Sequence, residues 1–266
     1  MRRLAAVTAL LAALLVASPV VHAAEPQVPL AAHRALYKLQ LENGRNGDVT
    51  SGSGTMSYEM IDACDGWAVH QRLEMRLTNR DGQDVNMTSD YTTWESKDGL
   101  KLRFRTRQLS DDNVTGEVAG EASLTQEGGP GTAAYTLPEA ATKDLPAGTV
   151  FPTAHTAVIL AAAEAGKKFV AVPLFDGTSA TGAQDSTIAI APWNSKAAPP
   201  FPGLADMASG RVRIAFFERD STNQHSEYEV AMRYWANGVA DDLSMDFGDF
   251  VMAGKLAEFL PLKPGC

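Results

Sequence analysis

Cysteine is almost missing from this chain: 266 residues contain two, Cys64 and Cys266. That scarcity excludes a cysteine-dense mini-domain, and the spacing excludes a C-x-x-C redox or zinc pattern. Basic residues are also short, 23 Lys and Arg against 32 Asp and Glu, for a formal charge of −9. An acidic chain gains nothing from nucleic-acid phosphates or anionic lipid surfaces, so neither is an expected partner. Beyond position 24 histidine occurs at His33, His70, His155 and His225. None is four residues from another and there is no H-E-x-x-H, so no metal site is expected. A G-x-S-x-G elbow, a P-loop, a G-x-G-x-x-G turn and an EF-hand loop are absent too, and no cofactor is expected.

One long apolar run is present, and it stands at the start. Arg2 and Arg3 precede an apolar stretch from Leu4 to Ala17, followed by Ser18, Pro19 and Val21-His22-Ala23. The stretch is too short for a helix across a bilayer of about 30 Å, and small residues at 21 and 23 suit signal peptidase. The reading is a signal peptide over residues 1–23, cleaved after Ala23, leaving one domain over 24–266 in the periplasm with no membrane span. No cysteine follows the run, so lipoprotein acylation is not expected. In an oxidising compartment Cys64 and Cys266 become a candidate disulfide; the competing reading is two unpaired thiols.

The rest alternates with period two, the mark of half-buried antiparallel strands. It is sharpest where Leu100, Leu102, Phe104 and Thr106 oppose Lys101, Arg103, Arg105 and Arg107. The same pattern covers 33–42, 55–61, 67–77, 85–94, 114–124, 133–137, 169–175, 187–191, 211–218, 227–235 and 243–251. Between them lie turn pairs such as Asp65-Gly66, Asp81-Gly82, Asp98-Gly99 and Asn237-Gly238, where glycine is expected to supply positive φ. The fold expected is mainly β: one large curled antiparallel sheet of about 12–14 strands, a β-spiral or unclosed barrel. One main helix is expected around residues 153–166, with Thr153 as its hydroxyl cap and Gly166 as its stop. A weaker helical candidate covers 252–259.

Chemistry is harder to find. Asp241, Asp242, Asp246 and Asp249 are acidic residues among Leu243, Met245 and Phe247, read as the wet face of a strand rather than a glycosidase pair. The basic stripe Lys101, Arg103, Arg105 and Arg107 could meet an anionic polymer, but cross-strand pairing with acids such as Glu227 and Glu229 is the simpler reading. An outer-membrane barrel is disfavoured by the charge spread along the strands.

Several stretches together resemble the EipB family of periplasmic envelope-integrity proteins, long filed as a domain of unknown function. They are His33-Arg34-Ala35-Leu36-Tyr37-Lys38-Leu39, Cys64-Asp65-Gly66-Trp67, Phe151-Pro152-Thr153-Ala154-His155-Thr156, Leu174-Phe175-Asp176-Gly177 and the terminal Cys266. The resemblance implies a spirally curled sheet with an associated helix and a disulfide between Cys64 and Cys266. It further implies a role in envelope maintenance under stress, cooperation with a periplasmic tetratricopeptide-repeat protein, and no enzymatic activity. The expected function is a non-enzymatic scaffold or binding module whose concave sheet receives a lipid, a peptide or an envelope protein. Trp67, His155, Phe175 and Asp176 are the candidates to line or support that surface. The alternatives are a periplasmic lipid carrier, or a glycan or peptidoglycan hydrolase drawing carboxylates from distant strands.

Overall fold

A computed structural model describes residues 29–193, 198–219, 222 and 225–266. The expected signal peptide and its cleavage point after Ala23 lie outside the described residues. The first half of the chain forms β1 (His33–Gly44), β2 (Val49–Asp62), β3 (Gly66–Asn79), β4 (Asp84–Ser96), β5 (Lys101–Ser110), β6 (Asn113–Leu124), β7 (Gly131–Leu137) and β8 (Ala141–Leu145). Helix α1 (Pro152–Glu164) follows. The second half forms β9 (Phe169–Leu174), β10 (Gln184–Ile190), β11 (Ser209–Glu218), β12 (Tyr228–Trp235), β13 (Ala240–Asp246) and β14 (Phe250–Pro261).

All fourteen strands belong to one sheet, ordered β8-β7-β6-β5-β4-β3-β2-β1-β14-β13-β12-β11-β10-β9. Two antiparallel meanders therefore run back to back and meet where β14 pairs with β1, with Leu39 opposite Gly254. The free edges, β8 and β9, are the two strands that flank α1 in sequence. An open edge leaves a row of backbone groups unpaired, which natural sheets cover. Here the segment after β8 adds one parallel rung to β9: the Val150 N–H donates to the Pro173 carbonyl (2.9 Å) and the Phe175 N–H to the Val150 carbonyl (3.0 Å). The loop after β9 is held against the first half of the sheet by the Tyr91 hydroxyl on the Asp176 carbonyl (2.7 Å) and Thr106 on the Gly177 carbonyl (3.2 Å).

The helix packs into the concavity of this curled sheet. Ile159, Ala162 and Ala163 are buried against residues of both meanders, among them Tyr37, Leu39, Ile188 and Val212. These contacts cover the apolar face of α1, while Ala161 and Glu164 stay exposed. Its end follows the sequence reading: Gly166 takes φ +69°, its N–H reaches the Ala163 carbonyl, and the Lys167 N–H reaches that of Ala162. This is a Schellman closure. Its start does not follow that reading. The helix begins at Pro152 with Phe151 as the flanking residue, and no side chain of its own caps it.

Three other expectations are corrected. Residues 252–259 are not helical but form the middle of β14, because pairing with β1 along the stretch, and with β13 over 252–254, satisfies their backbone in extended form. The expected strand 243–251 is split by a turn in which Gly248 adopts φ +88° and donates to Asp246 Oδ1. In the β2–β3 turn the left-handed residue is Cys64 (φ +69°), not Gly66. Two features had no signal in the pattern. β8 exposes every side chain but Leu145 and so shows no alternation, and the β5–β6 turn uses Asp111 and Asp112 at positive φ without a glycine.

Candidate functional site

Because inward side chains alternate along each strand, those of neighbouring strands form rows across the concave wall. One row reads Tyr58, Gln71, Tyr91, Thr106 over β2–β5; the rows beside it place Leu73, Ser89 and Gln108 together, and Val69, Thr93 and Phe104. The second meander contributes Ile214, Val230 and Met245 in one row and Phe216 beside Tyr228. The rows do not meet. They leave a cavity of about 370 Å³, closed on one side by Pro152, Thr153, His155 and Thr156 of α1.

Five of the six tyrosines line it: Tyr37, Tyr58, Tyr91, Tyr228 and Tyr234. Burial pushes all five phenols above their ordinary range, so they are neutral donors. Tyr37 donates to the Ala240 carbonyl (2.8 Å). Tyr58 packs against the ring of His33, 5.4 Å between centroids.

The helix is pinned to this wall by a residue the sequence reading missed. Glu95 at the end of β4 is buried, and its two carboxylate oxygens accept the Thr153 N–H (2.6 Å) and the Ala154 N–H (2.8 Å). A strand carboxylate thus does the capping expected of Thr153, at the helix end where negative charge is favoured. Desolvation nevertheless raises its pKa to about 7, against the pull of those N–H bonds. The signal was present: Glu95 falls in phase with the inward residues Tyr91 and Thr93, and an acid on a buried face needs a partner.

His155 lines the cavity from α1 and is buried. Its Nε2 lies 2.9 Å from Ser186 Oγ, and that hydroxyl donates its single proton to the Val172 carbonyl (2.7 Å). Nε2 is therefore the donor in this pair, the wrong protonation for a base that would activate the serine. Burial holds the imidazole pKa down at about 4. Asp176 also lines the cavity, but its oxygens shape the loop: Oδ1 accepts from the Thr178 backbone and hydroxyl, Oδ2 from Gln184.

The other two candidates are not on the cavity wall. Phe175 is fully buried in a separate cluster, edge-on to Phe104, Tyr135 and Phe151 at 5.2 to 6.3 Å between ring centroids. The period that turns Asp176 toward the cavity turns its neighbour away. Trp67 sits at the end of β3 beneath the Lys97 ammonium, 3.3 Å from the ring centroid, and Lys97 also pairs with Asp62 (2.8 Å). Beside that pair, Cys64 and Cys266 are joined by a disulfide, with Cα atoms 5.6 Å apart.

Charge is sorted to the outside. In the basic stripe, Arg103 pairs with Glu121 (3.4 Å) and Arg105 with Glu117, both on adjacent β6. The pairing is of the kind expected, but the partners are not: Glu229 lies across the sheet on β12 and pairs with Arg213. Exposed pairs of this sort contribute under about 1 kcal/mol, so Arg105→Gln is expected to change the urea midpoint barely at all. Asp242 and Asp246 are likewise ion-paired, with Arg211 and Lys255 and with Arg45. Asp241 departs from the wet-face reading. It is buried, in phase with Leu243 and Met245, and held by a two-pronged Arg233 contact of 2.7 and 2.6 Å. Among the described residues no three His, Cys, Asp or Glu side chains cluster as a metal site. No described helix is long and apolar enough to cross a membrane.

An unclosed, barrel-like sheet wrapped around a helix and a tyrosine-lined chamber defines the class of protein. Residues 24–263 match the family described as EipB-like, and the chain belongs to that family. It is 32% identical over 239 residues to the cell envelope integrity protein EipB of Brucella abortus, covering 87% of this chain and 84% of that one. A solved structure from the same organism, titled a beta-barrel-like protein of a domain of unknown function, superposes with a TM-score of 0.81 at 28% identity, covering 89% of this chain and all of that one.

Proposed function

We propose that this protein is a non-enzymatic periplasmic binding module that supports cell-envelope integrity, and that its ligand sits inside the curled sheet. The observation that carries the reading is the cavity itself. About 370 Å³ lies in the size range of small-molecule sites, and it is walled by tyrosines and apolar side chains with a few polar groups, as such sites are. The name of the Brucella relative supports the envelope role. Binding is favoured over hydrolysis because Asp176 is the one carboxylate among the lining residues, whereas glycoside hydrolysis uses two. By family resemblance, a periplasmic tetratricopeptide-repeat protein is the functional partner.

The test is native mass spectrometry of protein gently isolated from its own compartment. Wild type is expected to carry a non-peptide mass, and Ser89→Phe, which fills the cavity from β4, is expected to fold and to lose it. A wild-type protein free of any small molecule, with Ser89→Phe fully supporting envelope integrity in cells, would remove the binding reading. Turnover of glycan fragments that Asp176→Asn abolishes would install the hydrolase reading instead.

A further inference from the structure

The cavity has two unlike walls. On the β11–β13 side, Ile214, Phe216, Val230, Met232, Leu243 and Met245 offer hydrocarbon and thioether, and the phenols of Tyr228 and Tyr234 are the polar groups there. On the β2–β5 side, Tyr58, Gln71, Ser89, Thr93 and Gln108 carry hydroxyls and amides for which the described residues supply no hydrogen-bond partner. Thr93 is more than nine-tenths buried. These groups are not sealed in the protein, since the buried side-chain atoms without a partner among the described residues are the Tyr135 hydroxyl and the Trp235 indole N–H. This wall therefore presents polar groups that are open to whatever fills the cavity.

What is missing is as informative as what is present. No lysine or arginine lines the cavity. The two imidazoles do not serve as cations, since burial depresses both: His33 gives its Nδ1 to the Ala31 carbonyl (2.7 Å) and His155 is tied to Ser186. A phosphate or carboxylate drawn inside would have no counter-charge, and an unpaired buried ion is strongly disfavoured. A cation fares little better, because Asp176 already accepts from Thr178 and Gln184. Depth gives the orientation. Gln108 and Thr178 are exposed whereas Ile214, Met232 and Met245 are buried, so the polar wall leads out to solvent and the apolar wall forms the floor. The volume suits one acyl chain rather than two.

We propose, building on the binding-module reading, that the ligand class is an uncharged single-chain amphiphile, with its tail on the β11–β13 wall and a hydroxyl or amide head against Gln71, Ser89 and Gln108. The probes are monolaurin, laurate, lauroyl lysophosphatidic acid, laurylamine and the neutral dye Nile red, titrated into the full mature chain at neutral pH. Monolaurin is expected to bind at least about tenfold more tightly than the three charged lipids, tenfold being 1.4 kcal/mol of discrimination. Gln71→Leu is expected to weaken monolaurin about tenfold while leaving Nile red within about twofold. Ser89→Ala serves the same purpose should the leucine variant misfold. Equal or tighter binding of any charged lipid overturns the neutral-head assignment and leaves the binding module standing. So does a peptide as the mass found in the isolated protein. Failure of every probe, with nothing co-isolated, overturns both.

Discussion

Replacing Cys64 or Cys266 by serine is expected to lower the free energy of unfolding by about 5 kcal/mol, the chain-entropy value for closing a loop of this length. The two residues stand 202 positions apart, so the bond spans nearly the whole described sheet. It joins the β2–β3 turn to the last residue, and after Pro261 the tail is held otherwise by few contacts, one being the Leu262 N–H on the Ala32 carbonyl (2.9 Å). The single and double variants are expected to coincide, because each removes the same bond, and reduction of wild type is expected to reproduce them. Urea unfolding with and without dithiothreitol reads all four cases. A double variant as stable as wild type would show that the bond clamps nothing.

The second large effect is hidden in wild type and exposed by Glu95→Gln. Glu95 has a folded pKa of about 7, above the ordinary 4.5, because burial penalises its charge. Folding therefore takes up a proton between those values. The stabilisation is fully present below 4.5 and is lost as pH rises through 7, in total about 3 kcal/mol. His155 has the opposite sign. Its folded pKa of about 4 lies below the ordinary 6.5, so its contribution is present above 6.5 and is lost as pH falls through 4, again about 3 kcal/mol. Asp176, shifted upward, adds to the first trend and His33, shifted downward, to the second.

Between pH 4.5 and 6.5 the two slopes cancel. In Glu95→Gln the histidine slope is left alone, and stability relative to wild type is expected to fall by about 1.4 kcal/mol per pH unit as pH drops from 6.5 to 4.5. His155→Gln is expected to show the reverse, losing stability relative to wild type as pH rises from 4 to 6.5. Urea midpoints at half-unit steps measure both. Parallel profiles for wild type and Glu95→Gln would show that the carboxyl does not titrate with folding in this range.

Most strands were legible because alternation is a local property. Leu102, Phe104 and Thr106 are buried while Lys101, Arg103 and Arg105 are exposed, as their spacing requires. The end of α1 was legible for the same reason, since Gly166 at a left-handed position is a local device. Its start was not. The cap comes from Glu95, far away in sequence, and no window containing Thr153 could show that. The 252–259 stretch misled in the same way: its residues tolerate a helix, and only flanking strands from opposite ends of the chain make it β14. Of the four residues expected near the site, His155 and Asp176 reach the cavity, while Phe175 and Trp67 do not.

The scarcity of cysteine and basic residues shaped which partners and redox chemistries were expected, and the period-two pattern determined a large antiparallel sheet with one main helix. Both follow from properties a few residues carry by themselves. Which strands share an edge, which acid caps the helix, and which side chains meet around the chamber were decided by how the two meanders curl onto each other. That closure brings together residues more than a hundred positions apart, and the face each presents depends on register, which the local pattern does not contain.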